Sequence, residues 1–439
     1  MLKPVMEQRK PEGIRIADAS FPSPFRSGLE YNPAARGSWN IVHTGMLIPG
    51  SHQIYVCAQG CLRGVILTAA EMNAMERMSW VSLREEDMFN GEMEQRVIDG
   101  TAHIVGRMPE KPRCVLVYLS CMHMFEGCDF KMIMGELSSM FPEVDFLDCY
   151  MIPTMRKSIS PDALMKRQLY APIRKLPTDS GLVSIIGCDR ETDKSSELFE
   201  ILGSAGKRVW EINSCATYDE YLAMGASSLA ISYLPVALNS GKAIERRLGI
   251  PHLHIPLCYD YNEIEEHYRE LCGALGIEIP DFSENIERAE RALTEARDTV
   301  GDIPIAVDFS AVPRPLGLAL LLAEHGFNVR RVYADGFMNE ESPAFERLRE
   351  IAPDLELYPT LDVGMRFARD ENCGEWLAVG QRAAYFLDTD KFVNIVEGGG
   401  MYGFGGIEKM CGLICDAVRN PKDTRATISL KGLGCESCL

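Results

Sequence analysis

The sequence has no excess of positive charge. Its 439 residues carry a formal net charge of −18. Nucleic acid and anionic membrane surfaces bind through cation-rich faces, so neither is expected as the main partner. No apolar run approaches the roughly 20 residues that span a bilayer. The opening segment MLKPVMEQRKPEGIRIADAS holds charge but no apolar core, so no secretory signal is expected there. No phosphate-binding loop, no Ser/His/Asp order, no nucleic-acid module and no short-period repeat stands out. What remains reads as a cytoplasmic protein too long for one ordinary domain. Its 46% hydrophobic content suffices for two or three sizeable cores.

Thiols, by contrast, are plentiful. Fifteen cysteines without a secretory signal do not suggest a disulfide scaffold. A reducing cytoplasm fits better, and the 22 methionines suit an anaerobic host. Cys57 and Cys61 lie in YVCAQGCLRG, and Cys121 and Cys128 in LSCMHMFEGC, each pair directly after a β-rich stretch. Soft thiolates at such turns select iron–sulfur clusters, zinc or copper(I). Structural zinc favours C-x₂₋₄-C spacing, and the wider second pair makes zinc the less natural choice. Cys57, Cys61, Cys121 and Cys128 are therefore the candidate metal ligands. Gly60 and Gly64 would let backbone approach a bulky cluster, Gly127 would permit a tight turn, and Arg63 could offset cluster charge.

Three α/β segments follow one another. Residues 1–178 open with a Pro/Gly-rich arm and then run through IYVC, a helix-like stretch from Gly64 to Met78, VLVYLSC and VDFLDCY. The polar, proline-punctuated MRKSISPDALMKRQLYAPIRKLPTDSG reads as a boundary. Residues 179–298 alternate cleanly: LVSIIGC, SSELFEILGSAG, RVWEINSC, TYDEYLAMGASSLAIS, KAIERRLG, HLHIPLC and EIEEHYRELCGALG. They close on the charged stretch Glu284–Arg297, expected as a solvent-exposed connecting helix. Residues 299–439 begin at IPIAVDFS and end in a glycine-rich turn, a helix and a cysteine-containing tail. Alternating βαβ units imply parallel sheets covered by helices on both faces. The expected fold class is therefore α/β, with three Rossmann-like domains.

Open α/β sheets bind ligands beyond the carboxyl ends of their strands. Cys57, Cys121, Cys188, Cys215 and Cys258 all fall at predicted strand ends, although any single one is as readily a small buried core residue. Cys435 and Cys438 form a C-x-x-C pair in the tail, open to metal binding, dithiol chemistry or no role. Cys411 and Cys415 share helical apolar spacing with Ile407, Met410, Ile414 and Val418, which marks a packed face. The run EGGGMYGFGG precedes that helix, and Gly403, Gly405 and Gly406 are candidates to cradle a cofactor's anionic group at the helix start. His252 and His254 alternate along a strand and are expected as buried, hydrogen-bonded histidines.

The ordered set IPGSHQIYVCAQGCLRG, VYLSCMHMFEGCDF, KAIERRLGIPHLHIP and YGFGGIEKMCGLICDAV resembles the component 1 subunits of the nitrogenase superfamily. That group includes nitrogenase chains, cofactor-assembly scaffolds and tetrapyrrole reductases. The resemblance implies an iron–sulfur cluster at an interface with a homologous or identical subunit, fed by an ATP-dependent iron protein. By position, Cys61 and Cys121 match two of the family's interface-cluster cysteines. The third has no counterpart around Ala35–Trp39, and Cys57 is the candidate to replace it, which favours a [4Fe–4S] cluster over the family's larger one. Around Tyr233 the chain reads SYLPVAL, without the family's cofactor cysteine, and no matching histidine precedes YGFGG. A molybdenum-cofactor site is therefore not implied, while a second metallocluster near Cys188, Cys215 and Cys258 is left open. The expected function is a nitrogenase-like reductase subunit passing low-potential electrons to an unidentified substrate. A scaffold for metallocluster assembly and a non-catalytic partner subunit are the alternatives.

Overall fold

The computed structural model describes residues 11–26, 28–35, 40–152, 159–369 and 375–429. Cys373, Cys435 and Cys438 lie outside them. Three parallel sheets flanked by helices account for the chain, as the α/β alternation implied. They fall into two compact units, one built from residues 39–191 and 206–255, the other from the N-terminal arm, residues 192–205 and residues 256–430.

The first unit holds two four-stranded sheets. One runs Met78–Leu83, Ser51–Ala58, Cys114–Ser120, Asp145–Met151, and every pairing in it is parallel. Ser51–Ala58 and Cys114–Ser120 are buried along almost their whole length, because helices cover both faces and neither needs a polar side. Alternate side chains divide between two cores. Tyr55 and Cys57 pack on one face with Leu62, Tyr118 and Cys149, whereas Ile54 and Val56 pack on the other with Val97, Val115 and Val117. Tyr55 and Tyr118 are paired in register, and their rings stack 4.3 Å apart. The second sheet runs Arg208–Glu211, Asp179–Ile185, Ser227–Ser232, His252–His254, also parallel throughout. In both sheets the chain starts on an inner strand, crosses to one neighbour and then jumps to the other side. That jump creates a crevice at the carboxyl ends of the first and third strands.

The other unit carries a six-stranded sheet, Ile14–Arg15, Glu356–Tyr358, Val329–Tyr333, Ile305–Asp308, Leu377–Val379, Phe392–Val393. Only the arm strand Ile14–Arg15 pairs antiparallel. Its crevice, between Ile305–Asp308 and Leu377–Val379, is filled by the protein. The buried Asp308 carboxylate accepts from the amides of Ser310 at 2.7 Å, Ala311 at 3.2 Å and Ala383 at 2.9 Å. Gly380 makes room for it, since a Cβ there would lie 2.2 Å from Asp308 Oδ2.

Several expectations are corrected. The segment Gly64–Met78 is not one helix: the helix is Gln59–Glu71, and Met78 begins the edge strand Met78–Leu83. That strand mixes buried Met78, Val81 and Leu83 with exposed Trp80, as an edge of a sheet can. The stretch read as a boundary contains the helix Pro161–Gln168, whose Ala163, Leu164, Met165 and Lys166 are buried, while residues 153–158 lie outside the description. The charged helix, Ser283–Val300, is not a solvated connector. Ala289, Leu293, Ala296 and Val300 form a buried stripe, and the helix packs along Gly403–Arg419. Its charges occupy the opposite face, as in any amphipathic helix. Among the described residues, no helix is long and apolar enough to cross a membrane.

Candidate metal centre

The crevice of the first sheet lies between the carboxyl ends of Ser51–Ala58 and Cys114–Ser120, and this is where the cysteine turns meet. Cys57 is the penultimate residue of its strand and is fully buried. Cys61 follows in the first turn of the helix Gln59–Glu71 and is exposed. Cys121 opens the one-turn helix Cys121–Phe125 and is partly exposed. Burial, with smaller contributions from Cys61 and Cys121, pushes the Cys57 thiol up to about 12. The fold thus carries Cys57, Cys61 and Cys121 on two turns that leave neighbouring strands where such sheets bind ligands, with the three sulfurs not all within 4.8 Å of one another.

Cys128 is placed differently. It packs with the Ile54 and Val56 core, on the opposite face of the sheet from Cys57. Burial raises its thiol, and the carboxylates of Glu94 and Glu126 add to the shift. Gly127, at φ +71°, makes the turn that puts it there, and the Cys128 amide closes that turn on His123 O at 3.0 Å. Gly60 and Gly64 have open space where a Cβ would stand, and Arg63 is exposed.

The turn carrying Cys121 also holds a fully buried imidazole. The Ser120 amide donates to His123 Nδ1 at 3.1 Å, which leaves the proton on Nε2, where no hydrogen-bond partner is present. Burial pushes His123 down to about 4, and does the same to His52, which meets Ser79 Oγ at 2.9 Å. Folded values below the ordinary 6.5 mean that the unfolded chain takes up protons first as pH falls. Their contribution to stability is whole above about pH 6.5 and is lost as pH drops towards 4, up to about 3 kcal/mol for each. Denaturant midpoints measured across that window should fall for the wild type and fall less steeply for His52→Gln and His123→Gln.

The other strand-end cysteines are buried. Cys215 accepts from Trp210 Nε1 at 3.0 Å and donates to Glu211 O at 3.3 Å, as a packed thiol does. Cys188 is buried in the same unit, and Cys258 is buried in the other. Cys411 is buried and Cys415 partly so, on the packed face expected of them. His252 Nε2 and His254 Nδ1 both lie 2.8 Å from Ser232 Oγ, which makes them hydrogen-bonded histidines of the strand.

The glycine turn calls for a correction. The helix Gly403–Arg419 does meet an anion at its start, but the anion is the protein's own. Glu197 Oε1 accepts from the Gly405 amide at 2.9 Å and from Asn285 Nδ2 at 3.0 Å, while Oε2 accepts from Tyr268 Oη at 2.7 Å. A Cβ on Gly403 would stand 1.8 Å from Tyr268 Oη, and one on Gly405 2.3 Å from Ser195 O. A Cβ on Gly406 would press on Met401 at 3.1 Å. These glycines serve close packing around a buried carboxylate, which takes the Gly405 amide.

Comparison with known proteins gives two concordant results. A family model described as nitrogenase component 1 type oxidoreductase matches residues 42–365. The solved structure described as "Nitrogenase Cp1 at pH 6.5" superimposes with a TM-score of 0.67 at 14% identity, covering 90% of this chain and 94% of that one. "Nitrogenase Cp1 at pH 5" gives 0.58 at 11% identity, covering 91% of each. No curated protein matches the sequence.

Proposed function

The chain belongs to the nitrogenase component 1 type oxidoreductases, and from that premise we propose that it is a nitrogenase-like reductase subunit whose cluster-binding set is Cys57, Cys61 and Cys121. The observation that supports this reading is that those cysteines sit on the two turns leaving neighbouring parallel strands at the crevice of the first sheet. The donor set fits an iron–sulfur cluster: three thiols from two turns, one buried and two reaching the surface. When bound, such a cluster takes up and releases single electrons at low potential.

The chain's own residues set the conditions for that chemistry. Cys57 lies in a dry apolar core with Tyr55, Leu62 and Tyr118, which keeps water from one side of the set. Cys61 and Cys121 leave the other side open. Beside Cys121, on the same short helix, Met124 and Phe125 are 44% and 79% exposed. Apolar side chains of that size next to an open thiol set are what a partner subunit would cover. A homologous or identical subunit is therefore proposed to complete the site, with an ATP-dependent iron protein as electron donor and a cytoplasmic setting.

A second reading, a scaffold for metallocluster assembly, is favoured by two observations. Glu197 closes the glycine turn of the last helix, and Tyr233 stands buried where the family's cofactor cysteine would be. One preparation separates the two. Protein purified without oxygen should contain about two irons and two sulfides per chain if a [4Fe–4S] cluster is shared by two subunits, with a paramagnetic signal after dithionite. Oxidation of that signal by an unsaturated substrate, renewed by iron protein and MgATP, supports the reductase. Transfer of iron to an apo-acceptor without turnover supports the scaffold. Protein without iron sinks both.

A further inference from the structure

The unit that carries the six-stranded sheet has a cavity of about 660 Å³. Cys258, Glu263 and Arg314 stand in its wall, together with Tyr259, Asp260 and Glu341. The wall is built by one local device. The chain leaves the strand His252–His254, passes Cys258 and enters the helix Tyr261–Leu275, where the Asp260 carboxylate caps the Glu263 amide at 2.9 Å. Glu263 and His267 are one turn apart, so both project on the side of the helix that faces Cys258.

The three ligand atoms available from Cys258, Glu263 and His267 all lie within 4.8 Å of one another. Cys258 Sγ is 3.7 Å from His267 Nδ1, and His267 Nε2 is 3.8 Å from Glu263 Oε1. Cys258 is 5% exposed and His267 9%. The cluster is more than acidic surface. A thiol, an imidazole and a carboxylate are the side chains that bind a borderline divalent ion. A second observation points the same way. Arg314 is 4% exposed and holds Glu263 Oε1 at 2.5 Å, yet its Nε has no hydrogen-bond partner. The guanidinium therefore fixes the Glu263 carboxylate in the cavity wall while keeping one donor shielded and unpaired.

We propose that Cys258, Glu263 and His267 form a mononuclear site for a divalent transition metal of zinc's class, with an open coordination position facing this cavity. Three protein ligands and an open fourth place are the arrangement of metal sites that act on a bound molecule. Arg314 orients Glu263 through its Nη1. On binding, the Cys258 thiol gives up its proton to solvent and the ion takes its place, so no oxidant or reductant is needed. The site is independent of the thiol set at Cys57, Cys61 and Cys121.

Cobalt(II) and zinc are the probes, used on the full-length chain. One equivalent of cobalt should produce thiolate-to-cobalt charge-transfer absorption, and one zinc per chain should survive desalting. Cys258→Ala and His267→Ala should lose both, while Cys215→Ala, a buried strand-end thiol elsewhere, keeps them. Glu263→Gln, which preserves volume, should weaken cobalt binding at least about tenfold, and it remains informative if Cys258→Ala does not fold. The absorption should persist when Cys57, Cys61 and Cys121 are all serine. Absence of the band in wild-type protein, its persistence in Cys258→Ala, or unchanged affinity in Glu263→Gln overturns the site.

Discussion

Cys57→Ser, Cys61→Ser and Cys121→Ser proteins purified without oxygen should each retain under about a tenth of the wild-type iron and sulfide, because a cluster short of a thiolate loses both charge balance and binding energy. Cys128→Ser should keep its full complement. The contrast rests on geometry. Cys128 is as close to Cys121 in sequence as any other cysteine, but it packs on the far face of the sheet from Cys57. Serine in place of Cys57 buries a hydroxyl in an apolar core, so a modest stability loss of about 1–3 kcal/mol accompanies the iron loss there. At exposed Cys61 no such packing loss is expected. Equal melting temperatures of iron-free wild type and iron-free Cys61→Ser, alongside iron loss in the variant, therefore separate ligation from folding. Equal iron in wild type and Cys61→Ser, or iron lost from Cys128→Ser, would show that the ligand set has been drawn wrongly.

The second large effect is on stability. Glu197→Ala should destabilise the protein by about 3–5 kcal/mol, because it strands three buried or part-buried donors: the Gly405 amide, the Tyr268 hydroxyl and Asn285 Nδ2. Gly403→Ala should cost a comparable amount. The new methyl group would stand 1.8 Å from Tyr268 Oη and 2.4 Å from Glu197 Oε2, on backbone held at φ +74°. Gly412→Ala is the control: it lies in the same helix with open space around it, and should be neutral or stabilising by up to about 1 kcal/mol. Denaturant unfolding monitored by circular dichroism measures all three. If Gly403→Ala were as stable as the wild type, the glycine turn would have to be open to a ligand after all.

The parts of the fold that could be read in advance are those in which local pattern and tertiary environment agree. IYVC, VLVYLSC and LVSIIGC are apolar throughout because helices cover both faces of a parallel strand. The strand Met78–Leu83 escaped notice because it is an edge, part-exposed rather than continuously buried. Ile14–Arg15 escaped because two residues carry no period at all. The charged helix Ser283–Val300 looked fully solvated until its small stripe of Ala289, Leu293 and Ala296 found a neighbour. A signal for the Cys258 site was present, in a cysteine five residues before a glutamate and nine before a histidine on one helix, but without burial it resembles many charged helix starts.

The amino-acid sequence by itself determined the class of fold, the three strand–helix sets and the placing of thiols at strand ends. These are matters of period and local propensity, which act over a few residues. The tertiary structure alone decided which thiols share a crevice, which face of a sheet Cys128 takes, and whose carboxylate meets the last helix. Those outcomes depend on pairings between residues far apart in the chain. Strand order places Cys57 beside Cys121, and helix packing carries Glu197 to Gly405 across 208 positions of sequence. Local pattern holds no record of such distances. They are settled only when burial and hydrogen bonding are satisfied for the whole molecule at once.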